Sequence, residues 1–110
     1  MSTIIVKKTS AKKVFEFAGT NLNAKGEVVY DPSTLVPESI SGSFYEKADP
    51  ETGINGDYVG AFNGYYIDSK LKYTISEMTI ENAQEAIQIV AEIDADIENI
   101  ISANVEPAAE

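Results

Sequence analysis

Cysteine, histidine, tryptophan and arginine are all missing from this chain of 110 residues. Each absence closes a class of chemistry. Without cysteine there is no disulfide framework, no zinc finger and no thiol nucleophile. Lack of histidine removes the usual general base and the commonest metal ligand. With no arginine, bidentate recognition of phosphate or guanine is excluded. No apolar run approaches the ~20 residues that span a bilayer, and the start lacks the basic-then-apolar pattern of a signal peptide. These absences predict a non-enzymatic protein with no catalytic residues, no cofactor and no bound metal. They also predict synthesis in the cytoplasm and no membrane partner.

What is present is acidic. Eighteen carboxylates oppose eight basic residues, all lysine, for a net charge of −10. A hydrophobic content of 44% argues against disorder at that charge and is enough for one domain over residues 1–110 with its own core. Charge is polarised along the chain. Residues 1–13 carry four lysines and no acid, whereas residues 77–110 carry nine acids and no base. Opposite ends of this kind can attract each other. Thirteen isoleucines beside eight lysines and no arginine also suggest an AT-rich coding bias.

The first part, residues 1–78, reads as short strands. Residues 3–8 are β-branched and apolar. Residues 14–18 alternate, with Phe15 and Phe17 on one face and Glu16 on the other. Residues 27–30 form a third run. Residues 40–46 put Ile40, Gly42 and Phe44 on one side, and residues 71–75 do the same with Leu71, Tyr73 and Ile75. Residues 57–62 and 65–68 flank Asn63 and Gly64, a strong hairpin signal. Residues 20–26 read as a polar turn, and residues 48–56 as a nine-residue surface loop.

From residue 79 the period becomes helical. No glycine or proline interrupts residues 79–104, Thr79 is placed to be an N-cap, and Glu81 and Glu85 sit where the helix dipole favours acids. Ala83, Ala86, Val90, Ile93, Ile97, Ile100 and Asn104 follow a 3–4 spacing, widened by Ile87 and Ile101. A straight helix over this stretch would be about 39 Å long, against roughly 30 Å for a small domain. It must overhang the strands, break, or meet another copy. The expected fold is therefore α+β: five to seven mainly antiparallel strands in a sheet, sandwich or small barrel, one long C-terminal helix over 79–104, and a flexible tail at 105–110.

Several candidate sites compete with plainer readings. The helix stripe either covers the chain's own sheet or forms a seam with another subunit. As an interface it would use Ile87, Val90, Ile93, Ile97 and Ile100, joined by Tyr65 and Tyr66 from the aromatic-rich middle of the chain. The off-stripe acids Glu81, Glu85, Glu92, Asp96 and Glu98 could instead imitate DNA phosphates, which lie ~1.7 Å apart along the duplex axis. The acidic loop with Asp49, Glu51, Asn55 and Asp57 fails the EF-hand pattern, and Ser10 to Lys13 matches the letters of S-x-x-K without its context.

Two functions follow as expectations. The first is a structural or assembly protein acting by self-association, as a homo-oligomer, or by docking onto a larger complex such as a virus or phage particle. The second is a small acidic inhibitor or DNA mimic that binds a basic, nucleic-acid-binding protein. Direct nucleic-acid binding is disfavoured by the charge. Either Ile93→Asp or Ile97→Asp is expected to disrupt folding or assembly by placing an unpaired charge on the apolar stripe. Thermal melting and light scattering unchanged in both variants would contradict burial of the stripe.

Overall fold

The computed structural model describes residues 10–49, 51 and 54–103. Five antiparallel strands, β1 (Ala11–Ala18), β2 (Leu22–Tyr30), β3 (Pro37–Asp49), β4 (Ile54–Ile67) and β5 (Lys70–Ser76), are followed by two helices, α1 (Ile80–Ala95) and α2 (Ile97–Ser102). Each strand pairs with the next in chain order, and β1 does not meet β5. The sheet is thus open, neither a sandwich nor a barrel: the helices, not a second layer of strands, cover its apolar face. The expected strand at residues 3–8 and the tail at 105–110 lie outside the described residues.

The period-two reading holds in β1, where half-buried and exposed residues alternate strictly. Leu22, Ala24, Val28 and Tyr30 of β2, Ile40 and Phe44 of β3 and Phe62 of β4 meet Ala86, Ile89, Val90, Ile93, Ile97 and Ile101 of the helices in one buried cluster. The rings of Phe44 and Phe62 pack 5.1 Å apart. One row across the sheet explains two glycines. Phe15, Gly26, Gly42 and Phe62 are successive cross-strand partners. A Cβ on Gly26 would lie 3.0 Å from the rings of both Phe15 and Phe62, and one on Gly42 only 2.6 Å from Phe62. The phenylalanines lean inward over a backbone that has no side chains to hold them off.

Three turns differ from expectation. Asn63 and Gly64 do not form a hairpin; both lie inside β4, opposite Ser41 and Ile40 on one side and Thr74 and Tyr73 on the other. Gly64 is there for space, since a Cβ would come within 2.9 Å of Leu71 and Tyr73 side-chain atoms. The real hairpin turns at Asp68 and Ser69, whose φ of 52° and 67° match the two left-handed residues of a type I′ turn. The polar turn expected over 20–26 shrinks to residues 19–21. Leu22 and Ala24 alternate into the core, and Lys25 points outward to Glu16 at 3.7 Å. The loop expected over 48–56 is shortened likewise, with Lys47 facing Asn55 and Asp49 facing Ile54 across a bulged, irregular ladder.

The long helix breaks. Thr79 does occupy the N-cap, with extended backbone but no side-chain capping bond. At Asp96 (φ −104°, ψ 10°) the helix leaves its path, and the Asp96 amide is shared between the carbonyls of Glu92 and Ile93. Asn99 donates to the Asp96 carboxylate at 2.6 Å, a side-chain bond that supports the first turn of α2 just past the break. The kink lets the short α2 turn back onto β1 and β3, with Ile101 rather than Ile100 in the fully buried position. Gly42→Val is expected to lower the unfolding free energy by about 1–3 kcal/mol through overpacking against Phe62. Urea unfolding measures this, and a change within error would contradict the row of rings over glycine.

Candidate protein-interaction surface

Two ties fix how α1 is rotated on the sheet. On one flank the Glu85 carboxylate accepts from the backbone amides of Asn21 (2.9 Å) and Leu22 (3.1 Å) and from the Asn21 side chain (3.2 Å). Burial pushes the Glu85 carboxyl up, but these donors, with the Thr20 amide, outweigh it and hold the group below its ordinary value. On the other flank the Tyr66 hydroxyl donates to Asp94 at 2.8 Å. Burial and that bond push the Tyr66 hydroxyl well above its usual range.

The second tie locates a row of apolar residues. Positions seven apart lie nearly in line along a helix. Asp94, Ile87 and Ile80 therefore share the flank that faces β4 and β5. Ile80 is 94% exposed and Ile87 50% exposed. Tyr73, on the helix-covered face of β5, is 40% exposed. Among the described residues β5 is an edge strand. Exposed apolar side chains thus run beside an open sheet edge.

The seven residues predicted from sequence separate into four places. Val90, Ile93 and Ile97 are buried against the chain's own sheet, with Ile100 partly buried beside them, so the stripe is consumed within one chain and is closed to a second. Ile87 stands on the exposed flank. Tyr65 (53% exposed) lies on the uncovered face of the sheet, and Tyr66 reaches beneath α1. Ile80 and Tyr73 were missed. Ile80 is seven residues before Ile87, a signal hidden because it stands at the helix start. Tyr73 was assigned inward, correctly as to face, but the edge position leaves it open.

The uncovered face is mainly polar and aromatic, with the aliphatic Val14 and Ile67 also exposed on it. Ser39, Ser41 and Ser43 point away from the helices, Tyr45 and Tyr58 pack edge to face at 6.2 Å, and the Lys25 ammonium lies 5.9 Å from the Tyr45 ring. At the other end of the molecule Thr34, Leu35, Val36, Tyr66, Asp68 and Glu98 contribute to a groove of about 790 Å³ beside the helix break. Its polar side chains are carboxylates and hydroxyls, among them Asp94, which accepts the Tyr66 hydroxyl. Among the described residues no three acidic groups converge as metal ligands. Ser10 donates to Glu38, and Lys13 bonds the carbonyl of Ala103 just beyond α2, so the S-x-x-K letters fall on a strand with separate partners. The latter contact joins the basic start of the chain to the end of its acidic half, where the helix dipole favours a cation.

Comparison with protein-family models, with curated proteins and with solved structures gave no match. Among the described residues no helix is long and apolar enough to cross a membrane.

Glu85 makes a pH prediction. A carboxyl with a lowered folded pKa contributes stability above its unfolded value of about 4.3, and that contribution is lost as pH falls through the folded value. Glu85→Gln is therefore expected to lower the urea midpoint at neutral pH and to lose less stability than the parent on acidification below about pH 4.5. Parallel pH profiles for the two proteins would contradict the tie.

Proposed function

We propose that this chain is a non-enzymatic assembly protein that works through protein contacts, by self-association or by docking onto a larger complex. The observation that carries this reading is the exposed row of Ile80 and Ile87 beside Tyr73 and the edge of β5. Isolated surface hydrophobics are ordinary, but apolar groups aligned along a strand that has no outer partner among the described residues mark a surface that gains by being covered. In the groove beside the helix break the Tyr66 hydroxyl is bonded to Asp94, and burial with that bond keeps it protonated rather than activating it as a nucleophile. A role as an accessory component of a virus or phage particle is consistent with the small size and the AT-rich residue usage.

The acidic-inhibitor alternative has less to draw on. Of its five carboxylates, Glu85 is engaged with the β1–β2 turn and Asp96 with Asn99. The break at Asp96 also interrupts the regular spacing that mimicry of a duplex would use. Light scattering on a size-exclusion column, across concentrations and at low and high salt, tests the preferred reading. A discrete closed oligomer is expected. A species near the chain mass of 11.9 kDa at every concentration would overturn self-association.

A further inference from the structure

Among the described residues no strand pairs with the far side of β5. We propose that β5 pairs antiparallel with β5 of a second copy about a two-fold axis at Tyr73, joining two sheets into one of ten strands, five from each copy. This rests on the self-association reading above and names the surface it uses. In an antiparallel strand alternate residues direct both backbone groups to the same side, so the free side of β5 is a row of donors and acceptors that a copy of itself can satisfy.

Charge selects this arrangement. β5 begins with Lys70 and Lys72 and is followed by Glu77. The two lysines stand opposite Ile67 and Tyr65 on the uncovered face of the sheet. Glu77, turned by a φ of 59°, accepts from the Tyr58 hydroxyl on that face at 3.0 Å. Antiparallel pairing brings the lysine end of each strand to the Glu77 end of the other, whereas parallel pairing in register would stack lysine on lysine.

Register follows from the same groups. Opposed residues must share a face of the sheet. An axis at Tyr73 sets Lys70 against Ser76 and Lys72 against Thr74, and it uses the whole strand. An axis at Lys72 would set that lysine against its own copy. An axis at Thr74 would push Lys70 past the strand end, opposite Met78. On the covered face the same two-fold brings Tyr73 to its copy and the exposed Ile80 and Ile87 flanks of both α1 helices towards each other. Such an interface is isologous and closed, which stops further growth at this edge.

A charge swap tests the proposal on the full chain. Lys70→Glu and Glu77→Lys alone each create two like-charge encounters across the axis and should weaken self-association, raising the dissociation constant Kd read by light scattering about ten-fold. The double variant should recover to within about three-fold of the parent. Ile87→Lys should weaken association without rescue by either swap. A parent that associates while all of these variants associate equally well overturns the β5 edge and leaves self-association standing. A parent that stays monomeric overturns both. Loss in both single variants without recovery in the double variant overturns the two-fold pairing of Lys70 with Glu77.

Discussion

The structure depends on a single burial event, the closing of α1 and α2 over one face of an open sheet. Ala86, Ile89, Val90, Ile93, Ile97 and Ile101 make up the helical half of the core, and among the described residues no second layer of strands protects the other half. Each fully buried isoleucine contributes roughly 1.5–3 kcal/mol relative to exposure. Without the helices, Leu22, Val28, Ile40, Phe44 and Phe62 would lie open to water on a five-stranded sheet. The paired Gly26 and Gly42 belong to the same constraint, because they let Phe15 and Phe62 lie low enough for the helices to settle above them.

Polar groups then fix the lid in place. Glu85 ties one flank of α1 to the β1–β2 turn, Asp94 ties the other to Tyr66, and Lys13 holds the chain at the end of α2. With both flanks anchored, rotation of α1 about its axis is set, and this forces Ile80 and Ile87 out toward β5. The exposure that supports an assembly role is therefore a consequence of how the core is closed. A helix rolled to bury Ile87 would withdraw Val90 or Ile89 from the sheet.

Much of this was readable in the residues, and the failures have physical causes. Alternation in β1 and the helical period after Thr79 were plain because one face of each element is apolar. Asn63 and Gly64 misled because local turn chemistry cannot reveal a glycine placed for close packing against Leu71 and Tyr73. The β4–β5 turn uses Asp68 and Ser69, a weaker signal than Asn–Gly. The helix break at Asp96 carries no proline or glycine and goes with the burial of Ile97 and Ile101 against the sheet, which local sequence does not show. For the candidate surface, sequence places Ile87 and Tyr65 among the candidates, but it leaves open whether Val90, Ile93 and Ile97 cover the chain's own sheet or meet another subunit. Periodicity shows that a stripe will be buried and does not show which chain buries it.

Native-state hydrogen exchange tests the central dependence most directly. If the helices and the sheet form one cooperative unit, the amides of Val90 and Ile93 will exchange with the same opening free energy as those of Val28 and Ile40. Exchange of the helical amides through a much cheaper opening, with the strand amides still protected, would show that the sheet stands without its helices and would contradict the account.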